Sequence, residues 1–179
     1  MAVDYQIINR ALYKLGQEPI DQAVDSLRKT IMEGVFDDVK EEMLSKHVWS
    51  FAMVKETLLS TGSMAGDSTF ALPMKYLAFV SINGDPSFDF NIRGLTLYTS
   101  GLSIDLEYIS NVETSLFSSL AKKCFLLELA LEACTTLTGD SKLKESLRLD
   151  LEMAQDNARS IDSLNHLNEI DGLDYLEDH

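Results

Sequence analysis

The sequence predicts an α+β protein that is mainly α: a bundle of about four helices, with a small antiparallel β-meander inserted between helices 2 and 3. Apolar residues recur at helical spacing in four segments, and apolar and polar residues alternate between residues 76 and 109. The 179 residues are enough for one domain that buries about 70% of the surface its unfolded chain exposes. We expect that domain over residues 1–163, followed by an acidic arm over residues 164–179.

The first two helices are expected over about residues 4–15 and 22–48. Asp4 is the expected N-cap of the first helix, and Gly16 follows its end. Gly34 lies inside the second helix and costs about 1 kcal/mol relative to Ala. The second helix is indicated by apolar residues that repeat every four positions: Leu27, Ile31, Val35, Val39 and Met43.

The middle of the chain changes character twice. Residues 60–69 are rich in Gly and Ser, the composition of a mobile loop. Residues 76–109 then alternate, as in Leu102, Ile104 and Leu106, and Gly-containing turns separate the runs. This pattern predicts a compact sheet of three or four strands, each with one buried face.

Two further helices are expected over residues 115–138 and 140–162. The first is apolar nearly all round and is therefore the expected central helix of the bundle. Gly139 ends it and Asp140 caps the next. The last helix carries a narrow apolar seam that suits close helix packing: Leu147, Leu151, Ala154, Ala158 and Ile161.

The charge is strongly negative and unevenly spread. The chain has 29 acidic and 15 basic residues, a formal net charge of −14. Such a balance disfavours proteins that grip nucleic acid by neutralising phosphates. The arm sets isolated apolar residues among acids and cannot bury them by itself, so we expect a partner to order it; these anchors are Leu164, Leu167, Ile170, Leu173, Tyr175 and Leu176.

The sequence predicts no catalytic residue, no cofactor and no metal ligand set. Cys124, Cys134 and the three histidines do not have metal-ligand spacing. Neither a Gly-x-Ser-x-Gly elbow nor a phosphate-binding loop occurs. There is also no apolar run of the roughly 18 to 20 residues that a spanning helix needs, and no signal sequence. We expect a protein made in a reducing cytoplasm with no membrane partner.

Two groups of acids nevertheless require interpretation. The pairs Asp37/Glu41 and Asp38/Glu42 are spaced i,i+4 and are interpreted as a solvated helix face. Glu128 and Glu132 interrupt the apolar central helix on one side. They are interpreted as a polar stripe toward solvent or a neighbouring subunit, with a catalytic acid pair as the less favoured alternative.

Five motifs follow one another at fitting distances. Asn9-Arg-Ala-Leu-Tyr-Lys-Leu-Gly16-Gln-Glu-Pro19-Ile20 opens the chain, and His47-Val-Trp49-Ser-Phe51-Ala52 follows the second helix. A Leu72-Pro73 step, a Tyr108-Ile109 strand and a Leu/Ala-rich helix with a Thr-Gly break complete the order. Over about residues 5–162 the chain resembles the head-to-tail adaptor family of short-tailed phages, the tail tubular protein A type. Val48 and Ser50 replace the Pro and Asn usual in that family.

The resemblance implies a structural virion protein rather than an enzyme. Such adaptors form a ring, usually of twelve copies, below the portal protein, and the ring receives the tail tube or nozzle. An acidic channel would let DNA pass without specific binding. The expected location is the head-tail junction of the virion, and the host cytoplasm during assembly. The arm is then the candidate portal-binding segment, and the candidate subunit-interface residues are Glu128, Glu132, Ala154 and Ala158.

Two competing functions remain open from the sequence. An acidic inhibitor that mimics DNA would carry acids at phosphate-like spacing along one continuous face. A muralytic enzyme would use an acid pair such as Glu128 and Glu132.

Overall fold

The computed structural model describes residues 3–64 and 66–174, with side chains described through residue 162. The chain divides into a helical unit, Met1–Phe51 with Glu113–His179, and a β unit, Ala52–Val112. Across the described residues the helices are α1 (Tyr5–Lys14), α2 (Leu27–Ser45), α3 (Ser119–Thr138) and α4 (Ser141–Asp174). The strands are β1 (Met53–Leu59), β2 (Gly62–Met64), β3 (Asp67–Ala71), β4 (Tyr76–Ile82), β5 (Asn91–Arg93), β6 (Thr96–Thr99) and β7 (Ser103–Ser110).

The predicted fold class is wrong in its β part. Instead of a small meander of three or four strands, the described residues form seven strands in two antiparallel sheets, and the first strand begins at Met53. The Gly- and Ser-rich residues 60–69, expected as a loop, include β2 and most of β3, which pair with each other. The chain is therefore an α+β protein with a substantial β unit.

The two sheets of the β unit share one hydrophobic core. One sheet has the order β1-β7-β4 and the other the order β2-β3-β6-β5. Asn83 and Gly84, both with positive φ, make the tight turn after β4. The core takes buried side chains from both sheets: Leu58, Phe70, Ile82, Leu97, Ile104, Leu106 and Tyr108.

Short polar side chains set the starts of the helices. The Asp4 carboxylate accepts hydrogen bonds from the backbone of Gln6 and Ile7, and Asp140 caps α4 in the same way. Ser26 caps α2, so this helix begins at Leu27 rather than at residue 22. Ser118 caps α3, and a short 3₁₀ turn precedes it where helix was expected from residue 115.

Helix α3 is the centre of the helical unit. It packs against α1, α2 and α4, and its buried positions surround the helix axis, as its nearly continuous apolar sequence indicates. Phe125 meets Phe36 of α2 edge to face, with ring centroids 5.1 Å apart. The α3 helix ends at Gly139, whose φ of +64° is the left-handed conformation that a helix C-terminus favours.

Candidate functional surfaces

The opening motif is a clamp that fixes the exit from α1. The Asn9 side chain accepts a hydrogen bond from the Ile20 amide at 2.8 Å and donates one to the Ile20 carbonyl at 3.3 Å. Gly16, with φ of +67°, supplies the turn between them. Pro19 precedes the clamped residue. Asn9, Gly16 and Ile20 therefore act together to hold the chain that leads to α2.

The aromatic motif after α2 is a second joint. Trp49 is buried, and its indole N–H donates to the Met43 carbonyl at 3.1 Å. Phe51 packs beside Phe117, with ring centroids 5.2 Å apart, and His47 meets Trp49 edge to face. The motif thus anchors the end of α2 in the aromatic core of the helical unit.

Asp162 completes this joint from α4. One of its oxygens accepts from the Ser50 hydroxyl at 2.7 Å, and the other accepts from the Ser50 amide at 3.2 Å and lies 3.3 Å from His47 Nε2. Asp162 is only 9% exposed. Sequence reasoning missed this residue, although its position four residues after Ala158 places an acid on the buried seam of α4.

Glu128 lies in a polar cleft between α2, α3 and α4. Its carboxylate accepts from the Gln155 amide at 2.7 Å and lies 3.7 Å from Lys46 Nζ. Burial raises the pKa of Glu128, and nearby Lys46 opposes that shift. The cleft has a volume of about 310 Å³. Glu132 also lines it but is exposed, so the two acids have different surroundings.

The other candidate interface residues are covered within a single chain. Ala154 and Ala158 are buried, on the helix that packs against α3. Among the four candidates, Glu132 alone is exposed. The outer surface of α4 instead exposes the apolar side chains Leu149 and Met153, which lie on one face because they are four residues apart.

A groove between α1 and α3 is lined by cations, opposite in sign to the net charge of the chain. Its volume is about 420 Å³. Buried Leu126 and Leu127 form an apolar floor, and Tyr13 beside them is 63% exposed. Three cations complete the lining: Arg10, Lys14 and Lys123.

The β unit exposes large apolar side chains in its turns. Leu95 lies between β5 and β6, and Leu102 between β6 and β7. Met74, after the Leu72-Pro73 step, is fully exposed, whereas Pro73 itself is partly buried. Large exposed apolar side chains mark a surface that binds other proteins where they form a contiguous patch.

The arm residues lie at or beyond the limit of the described structure. The backbone of α4 runs through Asp174 and so includes Leu164, Leu167, Ile170 and Leu173. Their side chains, and the whole of Tyr175 and Leu176, lie outside the described residues. The boundary expected at residue 163 is therefore not the end of the helix.

Other chemistry is sparse in the described part of the chain. No group of His, Cys, Asp and Glu there is arranged to hold a metal ion, and none of the helices searched is long and apolar enough to cross a membrane. Cys124 and Cys134 are buried free thiols. Burial raises the pKa of Cys124 to about 11, which keeps it protonated and unreactive at neutral pH. No protein-family model and no curated protein matches the sequence.

Proposed function

We propose that this chain is a head-to-tail adaptor of a short-tailed phage, a ring subunit placed between the portal protein and the tail tube or nozzle. The observation that carries the proposal concerns the two most specific motifs. Asn9, Gly16 and Ile20 form one joint of the helical unit, and Trp49 and Phe51 anchor the other. Both motifs serve the packing of the helical unit, and the proposal rests on their order along the chain, which resembles that of the adaptor family.

The helical unit and the β unit are assigned different contacts in the assembly. The helical unit forms the ring, because it carries charged and apolar surfaces outside its own core. The β unit binds the tail tube, and its exposed turn residues Leu95, Leu102 and Met74 provide the apolar contacts. The acidic arm after residue 163 binds the portal protein, since it carries apolar anchors among acids and has neither Lys nor Arg.

The charge of the chain supports the passage of DNA without specific binding. A net charge of −14 on each subunit, repeated around a channel, repels phosphates and prevents the duplex from adhering to the wall. The adaptor therefore surrounds DNA rather than holding it.

The arm assignment is tested by deleting residues 164–179. We expect the deletion to abolish binding to the portal protein of the same virion while the melting temperature stays unchanged and far-UV circular dichroism loses only the signal of the deleted end of α4. Retained portal binding would contradict the assignment.

The muralytic alternative has one favourable observation, the raised pKa of Glu128 in a cleft. Against it, none of the described residues lining that cleft is aromatic, so no ring is available to stack on a sugar. A zymogram of the native chain and of Glu128→Gln tests the muralytic alternative. Clearing by the native chain that the variant loses would support an enzyme, and we expect no clearing from either.

Competition with duplex DNA for binding to a nuclease would instead support the DNA-mimic alternative.

A further inference from the structure

The groove between α1 and α3 is suited to an acidic partner. Arg10 and Lys123 are exposed at its rim, and Lys14 is about half exposed even though it lies 4.0 Å from Asp150. Leu126 and Leu127 close the floor of the groove between these cations and are themselves almost fully covered. An occupant must therefore bring several carboxylates close together and carry small side chains where it approaches the floor.

The outer face of α2 has these properties. Its exposed residues recur at spacings of three and four, so they share one side of the helix. Asp37, Asp38 and Glu41 fall within about one turn, or 6 Å along the axis. Asp37 and Glu41 have the same four-residue spacing as Arg10 and Lys14 on α1, and Asp37 also lies 3.6 Å from Lys40 of its own helix. The outer face comprises Thr30, Gly34, Asp37, Asp38, Glu41 and Ser45, all of them exposed.

Gly34 leaves open space on this face of α2. Its φ is not in the left-handed region, and a Cβ added to it would meet nothing within 4 Å. The fold of the single chain therefore gives no reason for a glycine, although glycine weakens a helix interior relative to alanine. A missing side chain is useful where another surface approaches the helix closely.

We propose that the groove of one copy binds the outer face of α2 of a second copy. In this contact the exposed ring of Tyr13 covers Gly34, and the basic rim of the groove lies against the acids of the helix. The two surfaces are different, so the contact is heterologous and repeats from copy to copy into a ring or an open filament. The choice of a second copy as the occupant rests on the proposed ring. The groove and the outer face of α2 are then the two surfaces that join neighbouring copies.

Charge reversal on each side tests the contact. The basic-side variant is Arg10→Glu with Lys123→Glu, and the acidic-side variant is Asp38→Lys with Glu41→Lys. Facing like charges should weaken self-association about 100-fold or more in either variant alone. An equimolar mixture should restore association, because each reversed surface then meets a complementary one on the other chain. Sedimentation velocity over a concentration series at low ionic strength measures both effects.

Two matched controls make the same change in net charge at exposed positions outside both surfaces. Lys142→Glu with Lys144→Glu matches the basic-side variant, and Asp89→Lys with Asp156→Lys matches the acidic-side variant. Both should associate like the native chain.

Substitutions of Gly34 separate a role in self-association from a role in the stability of the single chain. Gly34→Ala should raise the melting temperature by roughly 1–4 °C. Gly34→Met should fold equally well yet weaken association about tenfold or more, because the added side chain occupies the space of the neighbouring ring.

Three results would overturn the inference: a native chain that stays monomeric at every concentration, reversed variants that associate normally, or a mixture that is not rescued while the native chain associates. The proposed function has its own test in assembly on the portal protein. A ring on the portal that ignores these charge reversals would refute the interface and leave the adaptor function standing.

Discussion

Asp162 ties three parts of the helical unit together at a single carboxylate. It accepts hydrogen bonds from the amide and hydroxyl of Ser50 and lies beside His47. Asp162→Ala removes the acceptor and leaves the partly buried Ser50 N–H without this partner, so we expect a loss of about 1–3 kcal/mol in the free energy of unfolding. Urea denaturation measures it.

Asp162→Asn is the matched control, because its amide oxygen still accepts a hydrogen bond from Ser50. It should lose clearly less stability than Asp162→Ala. Equal losses would show that the negative charge beside His47, rather than the hydrogen bonds to Ser50, stabilises the joint.

Glu128 predicts a pH dependence with a definite sign. Burial raises its pKa above the ordinary 4.5, so the folded chain holds this proton more tightly than the unfolded chain. The contribution of Glu128 to stability therefore falls as pH rises from about 4.5 through the raised pKa. Glu128→Gln keeps an acceptor for Gln155 and removes the titration.

We expect the stability of the native chain relative to Glu128→Gln to decrease between pH 4.5 and 7. Chemical denaturation at several pH values measures this difference. A difference that increases with pH would mean that attraction to Lys46 outweighs burial.

At the scale of elements, replacing glycine by alanine should change the free energy of unfolding in opposite directions at two positions of the helical unit. Gly34→Ala adds a methyl group to a helix interior with open space around it and should stabilise the chain by about 0.4–1 kcal/mol. Gly139→Ala forces alanine into φ of +64° at the end of α3 and should destabilise it by about 1–2 kcal/mol. Thermal unfolding of the two variants measures both signs. Equal shifts would contradict the conformational argument.

The elements differ in how well the sequence predicts them. Helices α1 and α3 follow from local signals, since Asp4, Gly139 and the apolar periodicity act within a few residues of each other. Strand β1 could not be predicted in this way, because only Leu58 among its residues is fully buried. Its pairing with β7 joins Met53 to Ile109, far apart in sequence. The β2-β3 hairpin was missed for a related reason, since β2 is wholly exposed.

The candidate surfaces, too, could be predicted from the sequence only in part. The sequence identifies Trp49 and Asn9 as motif residues, but their pairing with Met43 and Ile20 becomes evident only from hydrogen bonds. The groove was not predicted, because Arg10 and Lys123 come together only when α1 packs on α3.

At the scale of the whole molecule, the excess of negative charge is compatible with a ring only if the contacts between copies are locally complementary. A chain of −14 repels its own copies at long range, and salt weakens that repulsion and the local attraction alike. The cations beside Tyr13 supply the local attraction that such an assembly needs.

Copies of this chain are proposed to form a closed ring on a portal protein. Native mass measurement of the purified chain, alone and mixed with the portal protein of the same virion, tests this proposal. We expect a single complex in which one portal carries a closed set of about twelve copies of this chain, the number usual for the family that the sequence resembles. A chain that stays unbound in the presence of the portal protein would contradict it.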